Sequence, residues 1–313
     1  MNRPLCIYHA NCMDGFASAW VVWRMSAFGE GEFLAMNYDD PIPDLTDRDV
    51  CIVDYSFNDV EGFLAQATKA KSVILLDHHK GADQKYAGIK FPDHVELKWD
   101  FTKSGVGVAW DYFMPRWPLP NLLQYVQHRD LWKINFQGVK EIHAYLKALG
   151  FMSPAGDSIV EKFRYFSTEV EGAQLTPQWE KDMIERGAAV MMAEDVLLNS
   201  ILQRTKTMAE FVEYGPVDGS NDWQALHHHI VPVAEVPYEL ASEAGNMLCE
   251  GHPFSLTYET QWALGKRKFS IRSHPETGVN VLPIAQKMGG SGHEHAAGWY
   301  EGIHDELPFR ELK

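Results

Sequence analysis

Short apolar runs alternate with longer stretches of helical character through the first half of the chain. The segments Leu5-Cys6-Ile7-Tyr8, Val50-Cys51-Ile52-Val53 and Ser72-Val73-Ile74-Leu75-Leu76 are almost free of polar residues and too short for helices. Such runs read as strands buried on both faces. Between them, residues 16–24 and 60–70 have helical character, a βαβ grammar that predicts a mainly parallel sheet with helices on both faces over residues 1–150. Residues 103–114 and 119–149 read as further helices with Gly or Pro between them. From 151 to 222 the chain turns polar and helical, predicting a helical connector that ends at the turn-rich segment 215–221. Strand-like runs resume near 226–233, 254–260 and 268–273, with helices over 237–250 and 282–288, so residues 223–313 are expected to form a smaller mixed α/β domain. Two α/β domains joined by helices would leave a cleft, a common place for a ligand.

At 313 residues the chain is long enough for two hydrophobic cores. A net charge of −15 disfavours a surface that grips long nucleic acid, because that mode needs clustered Lys and Arg. A short anionic ligand remains compatible if metal ions supply positive charge locally. The four cysteines have no CxxC spacing, and Cys6 and Cys51 lie in expected buried strands, which fits reduced thiols in a cytoplasmic protein. The first apolar run is broken at once by His9, Asn11 and Asp14, unlike a signal peptide. No run approaches the roughly 18 apolar residues of a membrane-spanning helix.

The ends of the three N-terminal strands change the picture. Leu5–Tyr8 leads into His9-Ala10-Asn11-Cys12-Met13-Asp14-Gly15, Val50–Val53 into Asp54, and Ser72–Leu76 into Asp77-His78-His79. Carboxylates and imidazoles at the ends of buried strands cost several kcal/mol unless paired or bound to metal. In an open parallel sheet the carboxyl ends of the strands share one crevice, which would gather His9, Asp14, Asp54, Asp77, His78 and His79. Oxygen and imidazole ligands together suit Mn²⁺ or a similar divalent ion. Two such ions about 4 Å apart can clamp the attacking and leaving oxygens of a phosphoryl displacement and activate a water.

A second cluster is Gly289-Gly290-Ser291-Gly292-His293-Glu294-His295-Ala296-Ala297-Gly298. Its glycines let backbone approach an anion, and a loop of this kind leading into a helix would offer a phosphate cradle. Arg272, at the end of a predicted strand, adds a guanidinium fork suited to phosphate. His227-His228-His229 opens an apolar strand and reads as structural.

HANCMDG, the VDY around Asp54, LLDHHK, QHRDLW and GGSGHEHAAGW together resemble the four motifs of the DHH phosphoesterases and the glycine-rich motif of their associated C-terminal domain, in the right order from His9 to Trp299. The resemblance implies a DHH catalytic domain and a substrate-binding domain around Mn²⁺, two ions being expected. It implies Asp54 as the ligand bridging both metals, with Asp14, His78 and Asp130 completing the second set and His9 contributing to the first. Asp77 would orient a neighbouring histidine, His79 would act as acid or phosphate-orienting group, and Arg272, Gly289, Gly290, Gly292 and His293 would hold substrate. The family's first motif carries a further Asp where this chain has Cys12, with Asn11 beside it, so Asn11 or Cys12 is the candidate for the remaining ligand.

These observations lead to an expected metal-dependent phosphodiesterase that degrades short oligonucleotides to mononucleotides through a metal-activated water. Two other readings stay open. One is hydrolysis of a small nucleotide such as a cyclic dinucleotide or 3′-phosphoadenosine 5′-phosphate; the other is a non-catalytic nucleotide-binding regulator. No membrane partner is expected, and a homodimer is compatible with the pattern.

Overall fold

The computed structural model describes residues 3–24, 28–38, 40–152, 158–216, 223–276 and 278–312. The chain forms two compact units, Met1–Met192 and Ala193–Lys313.

The first unit is built on five parallel strands: β1 (Leu5–His9), β2 (Glu32–Met36), β3 (Asp49–Val53), β4 (Ser72–Asp77) and β5 (Val95–Trp99). Between them run helices α1 (Met13–Trp23), α2 (Val60–Ala67) and α3 (Lys80–Tyr86). After β5 come α4 (Gly105–Phe113), α5 (Asn121–Asp130), α6 (Val139–Ala148), α7 (Ile159–Leu175) and α8 (Pro177–Thr205), the last running across the boundary between the units. The two-residue side-chain period of a strand explains the layering. Leu5, Ile7, Val50, Ile52, Val73 and Leu75 pack with Val60, Phe63 and Tyr86 of α2 and α3. Their neighbours Cys6, Tyr8, Cys51, Val53 and Leu76 pack with Phe16, Trp20, Val106 and Leu122 of the opposite helices. Both faces are therefore covered, as the apolar runs predict.

The strand order is β2-β1-β3-β4-β5. The chain moves from β1 to one side and then returns to build outward on the other. The crossover connections at β1 and β3 thus diverge, leaving a crevice at the carboxyl ends of these two strands.

The second unit is a seven-stranded mixed sheet in the order β10-β11-β9-β8-β7-β6-β12. Its strands are β6 (Thr207–Pro216), β7 (Trp223–Glu235), β8 (Ser255–Gln261), β9 (Lys266–Arg272), β10 (Ser291–His293), β11 (Ala296–Gly302) and β12 (Phe309–Glu311), with helices α9 (Ala241–Leu248) and α10 (Leu282–Lys287). All pairings are antiparallel except that of β7 with β8. Phe211, Val231, Leu256, Phe269, Ile271 and Trp299 form its main core. The helical part of the expected connector ends at Thr205, and Thr207–Pro216 is a strand of this sheet. Of the turn-rich segment, residues 217–221 lie outside the described residues.

The glycine-rich segment differs from expectation. It does not lead into a helix; it forms the β10–β11 hairpin at the sheet edge, with Ser291, Gly292 and His293 paired to Gly298, Ala297 and Ala296. The reason is packing. A β-carbon on Gly290 would stand 2.0 Å from the Gly298 carbonyl oxygen. Gly289, at φ +78°, closes the end of α10, its amide donating to the Gln286 carbonyl. The His227–His229 run sits on β7, where His228 and His229 pair with Glu210 and Glu213 of β6 at 2.8 and 3.0 Å, the structural role expected of it.

Candidate metal centre

Backbone geometry delivers the site residues before any side chain acts. His9 is the last residue of β1, Asp54 follows β3, and Asp77 ends β4 with His78 and His79 behind it. Asp14 lies in the first turn of α1 and Asp130 closes α5. Asp54 has φ +52°, a left-handed conformation rarely adopted by a non-glycine residue and costing on the order of 1–3 kcal/mol. Next to it, Gly105 is required by close approach, since a β-carbon there would lie 2.5 Å from Asp54 Cβ and 2.8 Å from Asp14 Oδ2.

The gathered side chains form two sets of three, each with ligand atoms within 4.8 Å of one another: His9, Cys12 and Asp54, and Asp14, His78 and Asp130. The sets meet where His78 Nε2 lies 3.2 Å from Asp54 Oδ1, 3.5 Å from Asp130 Oδ2 and 4.0 Å from Asp14 Oδ2. His9 Nδ1 is 3.9 Å from Asp54 Oδ2. Of the two residues proposed for the missing carboxylate, Cys12 is the one brought to His9 and Asp54. Asn11 is exposed, and its side-chain amide donates toward Asn37 Oδ1 at 3.5 Å.

Asp77, His78 and His79 form a third grouping with Asp54, but Asp77 is already satisfied. Its fully buried carboxylate accepts from the Ser56 hydroxyl and from the amides of His78 and His79, and contacts His79 Nδ1 at 2.6 Å. Burial works against its ionisation. The charge and hydrogen bond of His79, then His78 and Ser56, outweigh burial and hold the carboxyl well below the usual range. Asp77 therefore positions His79 and fixes which ring nitrogen is committed.

The electrostatics of the two sets are compatible with bound cations. Asp14 Oδ2, Asp54 Oδ2 and Asp130 Oδ2 are buried without a hydrogen-bond donor among the described residues, an arrangement that costs free energy unless a cation satisfies them. Burial, then the charges of Asp130 and Asp54, pushes the Asp14 carboxyl well above its ordinary value, and burial raises Asp130 as well. Asp130 also stands at the C-terminal end of α5, where the helix dipole disfavours an anion. For His78, burial opposes the charged form, yet the hydrogen bond to Asp54 and the charges of Asp130, Asp54 and Asp14 raise its pKa to about 10. One imidazole thus stands among three buried carboxyl groups, so the centre holds more acidic than basic side chains. The donor set of carboxylates, imidazoles and a thiol is of the kind that could hold metal.

Several residues at the site were not singled out by sequence. Ser104 Oγ donates to Asp14 Oδ1 at 2.7 Å and the Val106 amide donates to the same oxygen at 3.1 Å, so the start of α4 holds one oxygen of Asp14 and leaves the other to the centre. Ser56 holds Asp77 from behind in a similar way, donating to Oδ2 while His78 and His79 take Oδ1. Tyr38 packs against His9 at a ring-centroid distance of 5.2 Å and stacks on Tyr55 at 5.4 Å, fixing the imidazole. The adjacent small residues Ser104-Gly105 at a helix start were an available signal and Tyr55 stands in the VDY run around Asp54; Tyr38 carried none.

In the second unit, Arg272, Ala296 and His293 are register partners across β9, β11 and β10, so they share one face of the sheet in a single row. Arg272 is half-buried, with one guanidinium nitrogen donating to the Ile271 carbonyl at 3.0 Å; His293 is exposed.

No family model matches the chain. It is 26% identical over 325 residues to an uncharacterised protein of Acanthamoeba polyphaga mimivirus, an alignment covering 98% of this chain and 69% of that protein. Among solved structures it is similar to a pGpG-specific phosphodiesterase, PggH, of Vibrio cholerae, at 12% identity and a TM-score of 0.47, covering 97% of this chain and 95% of that one. It is also similar to RecJ from Thermus thermophilus in complex with Mn²⁺, at 14% identity and a TM-score of 0.41, covering 95% and 49%. At these identities and scores neither structure transfers a substrate or an activity to this chain.

Proposed function

We propose that the chain is a divalent-metal-dependent phosphodiesterase that hydrolyses short oligonucleotides to mononucleotides. The observation that carries this reading is the pair of ligand sets sharing a boundary at Asp54 and His78 in the crevice between β1 and β3. Two divalent ions, Mn²⁺ among them, would supply positive charge against phosphate oxygens and an acidified water. The chain's own residues do the rest. Asp54, between the sets, is assigned as the shared ligand, with His9 and Cys12 on one side and Asp14, His78 and Asp130 on the other. With Nδ1 committed to Asp77, proton exchange by His79 runs through Nε2, which is assigned to orient phosphate or protonate the leaving oxygen. Arg272 and His293, in one row, are assigned to anion binding in the second unit; Gly289, Gly290 and Gly292 shape the hairpin that carries His293.

The net charge of −15 repels a long polyanion, so the reading specifies short substrates. A panel of a dinucleotide, a five-mer, a 30-mer, a cyclic dinucleotide and 3′-phosphoadenosine 5′-phosphate, each with Mn²⁺ and with chelator, tests it. Chelator-sensitive cleavage of the dinucleotide and five-mer is expected, with kcat/KM no higher for the 30-mer. A site engaging two or three phosphates should give a slope of log K against log salt no steeper than about −2. Faster processive degradation of the 30-mer would overturn the short-substrate reading, and turnover unaffected by chelator would overturn the metal centre.

A further inference from the structure

The two ligand sets differ in chemistry. Asp14, His78 and Asp130 offer two carboxylates and an imidazole, whereas His9, Cys12 and Asp54 include a sulfur. We infer that Cys12 is a metal ligand and that the centre is asymmetric, with a sulfur-containing position selective for a softer borderline ion such as Zn²⁺, Fe²⁺ or Co²⁺ beside an oxygen-rich position that accepts Mn²⁺.

Three observations carry this. Cys12 Sγ, a His9 ring nitrogen and an Asp54 oxygen lie within 4.8 Å of one another, close enough to converge on one ion. Asp54, only 1% exposed, turns an oxygen without a hydrogen-bond donor toward this set. The backbone fixes the thiol's direction, because Cys12 stands at the start of α1 in extended conformation between Asn11 at φ +54° and the first helical turn. Asn11 accordingly sits outside, and Cys12 turns in. Thiolate is the ligand form of cysteine, so binding breaks the S–H bond, forms an S–metal bond and releases one proton to solvent. Thiolate favours Zn²⁺ and its borderline neighbours over Mn²⁺, a preference that the carboxylate standing at this position in the other ligand set does not add. Cys6, Cys51 and Cys249 are buried, which leaves Cys12 as the most accessible thiol.

The inference rests on the two-set metal centre, and the test separates the two. The full chain is loaded with Co²⁺, bound metal is counted by equilibrium dialysis, and the near-ultraviolet thiolate-to-cobalt charge-transfer band is recorded. Wild type should bind Co²⁺ and show the band; Cys12→Ser should lose it while Cys249→Ser and Asn11→Ala keep it. In wild type alone, Zn²⁺ should slow alkylation of Cys12 by iodoacetamide, mapped by mass spectrometry, a readout that needs no variant to fold. Cys12→Asp should shift the Zn²⁺-to-Mn²⁺ affinity ratio toward Mn²⁺ by at least about tenfold. Co²⁺ bound without the band, or a band that survives Cys12→Ser, would overturn the thiolate ligand while leaving the metal centre standing. No bound metal at all would overturn both.

Discussion

In the first unit, His9, Asp54 and Asp77–His79 come from three strands and arrive at one edge of the sheet; in the second, Arg272 and His293 come from different strands and arrive in one row on a face. Strand direction accounts for the difference. Parallel strands all finish at the same edge, so polar residues just past each apolar run converge whatever their side-chain parity. Antiparallel strands finish at alternate edges, and residues meet only where register and the two-residue period put them on one face. A run of polar residues after a strand is thus a strong pointer in the first architecture and a weak one in the second. The glycines show the same contrast. Gly105 makes room for Asp54 and Asp14 at a centre with more acidic than basic side chains, whereas Gly290 makes room for a neighbouring strand.

The contrast can be broken at its strongest point by Asp54→Ala, which removes the carboxylate standing between both ligand sets. The proposed phosphodiesterase activity should fall at least about a hundredfold. The rise in melting temperature that a ligand confers on the folded state should shrink with it when divalent ion is added to the variant. Near-normal turnover together with an undiminished thermal shift would mean that the two sets do not work as one centre.

Gly290→Ala probes the second unit on the opposite expectation. Its β-carbon would meet the Gly298 carbonyl at 2.0 Å, so the variant should lose about 1–3 kcal/mol of stability, visible in denaturant unfolding and in faster amide exchange across β10 and β11. Unchanged stability with raised KM would return the glycines to the anion-cradle role first expected of them.

A smaller effect sharpens the first unit. Ser104→Ala removes the 2.7 Å donor to Asp14 Oδ1 while the Val106 amide remains, so ion affinity should weaken by about tenfold in equilibrium dialysis, with little change in unfolding. Equal affinity would show that the start of α4 holds Asp14 through its backbone alone.

Much of this was legible along the chain because it depends on local composition. Unbroken apolar runs of four to five residues determined buried strands, their alternation with helical stretches determined a parallel sheet covered on both faces, and the ionisable residues after each run determined which side chains would gather at the sheet edge. Strands β2 and β5 were less visible: β5, Val95–Trp99, alternates apolar and polar residues, and the apolar run of β2, Phe33-Leu34-Ala35-Met36, is made of residues without β-branching that read equally as helix. Tertiary structure alone decided that Cys12 rather than Asn11 turns inward, that Ser104 and Ser56 hold the carboxylates from behind, and that the glycine-rich segment is a hairpin. Each of these turns on a side-chain direction or a backbone contact between segments distant in sequence. Periodicity along one segment specifies which face is apolar; it does not specify which distant atom that face will meet.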